Sequence, residues 1–292
     1  LPQSINSLIG AAAANFATKG GSAMLHHTVV PGDASDYRVN LSNINIEPRC
    51  RRIEGSQPDT ETMMVVLVLS SRSHRTQRDS IRQSWAKGQS NVYFVIGDRD
   101  CLTPPDYRVS PLDCKHDVQK QIPTPDMLAW QTKLREIEEA VDGELQQSCQ
   151  DLWLVNMEDS YRGLVRKLKL AYERALLETS ASWFLKVDDD TYVDVPYAIK
   201  VLQEVKLAQK AFVANSFRSQ TVLRKGKWAE LAYDAKKYPV YPHGAGHAVS
   251  RDLATYVSIH KNSLFEYHQG EDVSMGIWVS QIGFQVDFIS SE

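Results

Sequence analysis

The sequence lacks the features that would commit it to a disulfide-stapled miniature, a membrane span or a nucleic-acid partner. Only four cysteines occur among 292 residues, at Cys50, Cys101, Cys114 and Cys149, and their spacing is too wide for a compact zinc motif. An even count permits two disulfides. Cys101 to Cys114 is the favoured pairing, because the proline-rich segment between them reads as a loop suited to a tether; four unpaired buried thiols are the alternative. No apolar run is long enough to span a bilayer. Excess positive charge is missing as well. The 33 Lys and Arg stand against 36 Asp and Glu, a formal charge of -3, so no electrostatic case exists for nucleic acid. The chain begins at Leu1 rather than Met and reads as a trimmed part of a longer protein, so the absence of a signal or anchor here says nothing about that protein.

A hydrophobic content of 42% over this length is enough for a sizeable core in one large or two modest domains. Residues 1–60 show little periodicity. Ala11-Ala12-Ala13-Ala14 is a weak helix nucleus, Gly20-Gly21-Ser22 and Pro31-Gly32-Asp33 mark loops, and Asn40-Leu41-Ser42 is a glycosylation sequon that fits a secretory route. This stretch reads as a stem or loosely packed arm, with the catalytic body over residues 61–292.

Order begins at 63–69, a continuous apolar run of the kind buried on both faces of a parallel sheet. After the polar turn 70–73, residues 75–87 read as a helix with Ile81 and Trp85 on one face and Arg78 and Arg82 on another. A strand at 92–96 closes at Gly97. Strand, helix, strand is the mononucleotide-binding half of a Rossmann-like sheet, in which the loop after the first strand meets the ligand. From spacing alone, Arg78 and Arg82 pair with acids on the surface. Residues 98–125 are loop, 127–141 a helix, 151–156 a buried strand, and a strong helix follows Tyr161 with Leu164, Leu168, Ala171 and Ala175 on one face. Further on, 197–205 reads as helix, 211–214 as strand, and 218–241 as polar and aromatic with no firm period. Ser250 caps a helix through Leu253 and Val257, Glu271-Asp272 sits at a helix start, and 284–289 reads as a strand. The alternation predicts a mostly parallel α/β sheet flanked by helices.

The centre of the pattern is Trp183-Phe184-Leu185-Lys186-Val187 running into Asp188-Asp189-Asp190. Three neighbouring carboxylates repel, and a hard divalent cation such as Mg²⁺ or Mn²⁺ relieves that repulsion while bridging to a substrate phosphate. A solvated acidic turn is the bland alternative. The buried strand leading into the triplet favours a ligand site, since open α/β sheets collect ligands beyond the carboxyl ends of their strands.

Six motifs occur in a fixed order: Arg78 to Trp85, Tyr93-Phe94-Val95-Ile96-Gly97, Asp159-Ser160-Tyr161, Lys186-Val187-Asp188-Asp189-Asp190, Gly244-Ala245-Gly246 and Glu271-Asp272-Val273. Together they resemble the β1,3-glycosyltransferases of glycosyltransferase family 31, which transfer galactose or N-acetylhexosamines, over roughly residues 63 to 285. The resemblance implies a GT-A fold, a UDP-hexose donor, a glycan or glycoprotein acceptor, Mn²⁺, and inversion at the anomeric carbon. It also implies a Golgi or endoplasmic-reticulum location, with a membrane anchor in the full-length protein. It assigns Asp190, with Asp188, to the metal and Asp272 to the catalytic base. It places Ser70, Arg78, Arg82, Lys167, Lys186, Asp188 and Asp189 about the nucleotide-sugar. Trp228, Tyr241, Gly244, Gly246, His247 and Glu271 are the candidate sugar and acceptor platform, with core packing the equal alternative for each aromatic. Two departures, Gly163-Leu164-Val165 for Asn-Leu-Thr and His247 for an aromatic, bear on sugar specificity more than on catalysis.

Two rival readings stand beside transfer. One is a module of the same fold that binds UDP-sugar or glycan without turnover; the other is a metal-dependent phosphoryl or nucleotidyl transferase, against which the six motifs argue. Family members generally complete the metal shell with a His some two dozen residues beyond the acidic pair. Here the sequence stops at Glu292, with His247 and His268 as the nearest substitutes and a satisfied structural histidine the better reading of either, so the resemblance implies weak Mn²⁺ binding for this sequence by itself.

Overall fold

The computed structural model describes residues 63–148, 151–205, 210–226, 228–267, 270–283 and 285–290. The stem, the Ala11 helix nucleus, the Asn40 sequon, Cys50, Cys149 and His268 lie outside them. The chain runs β1 (Met64–Leu69), α1 (Arg75–Gln83), β2 (Val92–Asp100), α2 (Thr124–Ser148), β3 (Leu152–Asp159), α3 (Leu164–Glu178) and β4 (Trp183–Asp188). It continues through α4 (Val195–Glu204), β5 (Ala211–Ala214), β6 (Phe217–Arg218), β7 (Tyr241–Pro242), β8 (Gly246–Ser250), α5 (Arg251–Ile259), α6 (Glu271–Gln281) and β9 (Asp287–Ser290).

Seven strands form one sheet in the order β3-β2-β1-β4-β8-β5-β9, and β6 pairs with β7 separately. All neighbours in the first four are parallel; β8 alone runs against its neighbours β4 and β5. This mostly parallel sheet with helices on both faces is consistent with a GT-A, Rossmann-like fold. Alternation explains the unbroken apolar run of β1. Val65, Leu67 and Leu69 enter one core with α3, α5 and α6, while Met64, Val66 and Val68 enter another with Ile81, Val141, Leu145 and Leu202 from α1, α2 and α4. No helix among the described residues is long and apolar enough to cross a membrane.

Several elements differ from the sequence reading for physical reasons. β2 does not close at Gly97 but continues to Asp100, with a register shift against β3 between Gly97 and Arg99. A Cβ at Gly97 would stand 2.6 Å from the Met157 carbonyl oxygen and 2.9 Å from Asp159 Cβ, so the close approach of the two strands requires glycine. Gly97→Ala is expected to destabilise the protein by about 1–3 kcal/mol, the usual cost of overpacking, seen as a lower urea midpoint. A midpoint equal to that of the wild type would show that β2 and β3 can yield. Helix α2 extends past Val141 because Glu144, buried at 1% exposure, meets Arg78. Ser250 precedes α5, but its hydroxyl accepts from the Ala211 amide at 3.2 Å instead of capping the helix. The disulfide joins Cys101 at the end of β2 to Cys114.

Candidate active site

The parallel register sets Leu69 of β1 beside Asp188 of β4, and antiparallel pairing sets Val187 beside Gly246 of β8. The Ser70 turn, the Asp188-Asp189-Asp190 turn and the Gly244–Gly246 loop therefore share one edge of the sheet. Asp189 Oδ2 accepts the Ser70 hydroxyl at 2.7 Å and lies 2.8 Å from His74 Nδ1. Ser70 Oγ in turn accepts from Arg78 Nη1 at 3.0 Å, and Arg78 is clamped by Glu144 at 2.6 Å. A buried chain of contacts thus runs from α2 to the middle carboxylate of the triplet.

Lys186 holds the other half together. Its ammonium is 0% exposed and lies 2.7 Å from Asp188 Oδ1, 2.6 Å from Glu271 Oε1 and 2.8 Å from the Gly244 carbonyl oxygen. Burial acts to lower its pKa, but Glu271 and Asp188 outweigh burial and raise it above the ordinary lysine range. One cation faces several anions. Asp188 is pushed up to about 6, by burial first and then by Glu271 and Asp190 against the pull of Lys186. Asp272 is likewise raised to about 6, by burial and then by Glu271, although the Val273 amide donates to Oδ1 at 2.8 Å. Arg218 Nη2 stands 3.9 Å from Asp272 Oδ2, and a Cβ at Gly244 would come within 3.2 Å of the same oxygen. Asp190 is exposed at the turn.

The structure therefore brings together Ser70, Lys186, the triplet, Gly244, Gly246, Glu271 and Asp272, but it reassigns several expected roles. Arg78 is not on the surface: it is 0% exposed, and its donors go to Glu144, Ser70 and backbone carbonyls. Arg82 is partly buried and paired with Asp79, Glu144 and Asp151. Lys167, also buried, bridges Asp159 at 2.6 Å and the Ser70 carbonyl. These three cations brace the Ser70 turn and its neighbours from within, with their donors met by protein groups. Lys186 and Glu271 engage each other, and the Lys186 ammonium is enclosed by protein groups.

The aromatic platform also changes. Tyr241 is a core residue, packed with Val273 and Ile277, with its hydroxyl donating to Gln220 at 2.9 Å. Gly276 permits that packing, since a Cβ there would meet the Val240 carbonyl oxygen at 2.6 Å. His247 is buried between the Tyr172 hydroxyl, 3.2 Å from Nε2, and the edge of Phe212. Burial and then Lys186 hold it well below the ordinary histidine range, so it is neutral and enclosed, neither platform nor substitute ligand. Trp228 remains near the site, its ring centroid 5.6 Å from that of half-exposed Tyr161. Tyr161 is raised by burial and then by the charges of Glu271, Asp188 and Asp272. Tyr161, His74 and Arg218 were missed as site residues. Only Tyr161 had a signal, its place in the Asp159-Ser160-Tyr161 motif.

An α/β sheet with a carboxylate triplet beyond one central strand and an acidic pair tied to it through Lys186 suits a transferase that uses a phosphorylated donor. The family model described as galactosyltransferase matches residues 131–289, more than half of the chain, and the chain belongs to that family. UDP-GalNAc:beta-1,3-N-acetylgalactosaminyltransferase 2 of Xenopus laevis is 36% identical over 149 residues, covering 51% of this chain and 30% of that protein. The human protein of the same name is 37% identical over 134 residues, covering 46% and 27%. Hydroxyproline O-galactosyltransferase GALT5 of Arabidopsis thaliana is 35% identical over 136 residues, covering 44% and 20%. The chain thus spans less than a third of the length of these relatives.

Proposed function

We propose that this chain carries the catalytic site of an inverting, Mn²⁺-dependent β1,3-hexosyltransferase. It would move galactose or an N-acetylhexosamine from a UDP-sugar to a hydroxyl of a glycan or glycoprotein. The observation that carries this reading is Asp272, a buried carboxylate raised to about 6 and held near the triplet through Glu271 and Lys186. A base of that strength can take the proton from an attacking acceptor hydroxyl near neutral pH. The acceptor oxygen then forms its bond to the anomeric carbon as the bond to UDP breaks. On the donor side, Ser70 and His74 orient Asp189 for the nucleotide.

The described residues hold no group of three His, Cys, Asp or Glu side chains placed to bind a metal. The donor chemistry nevertheless fits one, because a cation that binds diphosphate commonly takes only one or two carboxylates and completes its shell with phosphate oxygens and water. Exposed Asp190, with Asp188, would supply those carboxylates, and the surplus negative charge around Lys186 favours a cation. A bound Mn²⁺ would neutralise charge developing on the departing diphosphate. The names of the relatives support galactose or N-acetylgalactosamine as the sugar.

Incorporation of radiolabelled sugar from UDP-galactose and UDP-N-acetylgalactosamine into a glycan acceptor, with UDP release followed in parallel, tests the proposal. UDP binding without incorporation would favour a binding module. The pH dependence is specific: protonated Asp272 cannot accept a proton, so kcat/KM is expected to rise with pH through about 6 and level off above it. A profile flat from pH 5 to 8 would remove Asp272 as the base.

A further inference from the structure

We infer that Lys186 and Glu271 form an internal latch that sets the position of Asp272 relative to the donor-binding turn, without either side chain touching substrate. The inference rests on the transfer reading above and deepens it. Lys186 sits on β4, the one strand that ends in the triplet, and β4 is paired on both sides, by β1 and β8. Its lateral freedom is therefore small. From that fixed point the ammonium reaches across 85 residues of sequence to Glu271 at 2.6 Å. Glu271 is the first residue of α6 and 6% exposed, and Asp272 follows it directly. The same ammonium binds the Gly244 carbonyl, and Gly244 lies so near Asp272 that a Cβ on it would stand 3.2 Å from Oδ2. The base is thus located twice from one atom, through its neighbour on the helix and through the loop lying against it.

The start of α6 needs such an anchor. Gly270 is in the left-handed region at φ 145° and contributes no side-chain cap, while two acids occupy the first turn of the helix. They gain from the helix dipole but repel each other, and Lys186 is the buried cation that offsets the repulsion. Without the latch, the first turn would lose its ionic tie to β4 while the rest of α6, buried through Val279 and packed on Tyr241, stays in place. A displacement of about 1 Å at a reacting group can cost about 100-fold in rate.

The test compares Glu271→Ala with Glu271→Gln in the full chain. Gln has the length of Glu and can still accept from Lys186, whereas Ala cannot. Under the latch, Glu271→Ala keeps UDP affinity within about twofold but lowers kcat about 100-fold, and Glu271→Gln recovers to within about tenfold of the wild type. Equal losses in the two variants would mean that the Glu271 charge itself meets substrate, and no loss in either would mean that the pair positions nothing; both overturn the latch. Should the wild type bind UDP yet transfer no sugar, the transfer reading fails by itself. The latch is then judged by unfolding midpoints of Lys186→Met, Glu271→Gln and the double variant. Non-additive midpoints support it, and additive ones overturn it.

Discussion

Asp272→Asn is expected to slow sugar transfer by about 10²–10⁴-fold while leaving UDP affinity unchanged, the usual effect of removing a general base. Asn has the shape of Asp and can still accept the Val273 amide, so the helix start should hold its form. The variant should also be the more stable protein. The folded pKa of Asp272 is about 6 against an ordinary 3.8, so the folded state holds this proton more tightly than the unfolded chain. Stability from this group is therefore lost as pH rises from about 4 to about 6, and its full cost, up to about 3 kcal/mol, is present at pH 7. Asn carries no such cost. A stabilised but nearly inactive variant, measured by urea unfolding and sugar incorporation together, would separate a functional carboxylate from a structural one. Normal transfer by Asp272→Asn would return Asp272 to the role of an acid favoured by the helix dipole.

Asp190→Ala is expected to abolish the Mn²⁺-dependent part of UDP binding and leave the fold intact. Asp190 is exposed, and its charge adds to the repulsion that raises Asp188, so its removal relieves strain at the turn. Loss of even an outer-shell partner commonly weakens a metal site about 10–100-fold, and loss of a ligand should do at least as much. Calorimetry of UDP in Mn²⁺ and in EDTA checks this. UDP affinity of Asp190→Ala should fall below that of the wild type only when metal is present, and that of Asp272→Asn should match the wild type both in Mn²⁺ and in EDTA. Equal UDP affinity of Asp190→Ala and wild type in Mn²⁺ would rule Asp190 out as a ligand.

The apolar strands, their alternation with helices, the triplet and the Glu271-Asp272 pair were all legible in the sequence, because each is a local pattern. The roles of the charged residues were less so. Arg78 meets Glu144 across 66 residues, and Lys186 meets Glu271 across 85. Nothing within one turn or strand of Arg78 announces that its partner is buried beside it, and a helical wheel places it on an outer face. Tyr241 and His247 stood in a segment rich in aromatic and small residues that resembled a sugar platform. Both are interior, because Tyr241 packs under α6 and His247 against Tyr172 of α3.

What the sequence determined by itself was which segments must be buried and where carboxylates collect. Strands apolar at every position can be satisfied only between two layers, and adjacent aspartates at a strand end repel wherever the chain folds. Which cations answer those carboxylates was decided only by the tertiary structure. The order of strands across the sheet sets which strand ends and helix starts become neighbours. A buried charge is stable only beside a partner that this order delivers from far along the chain.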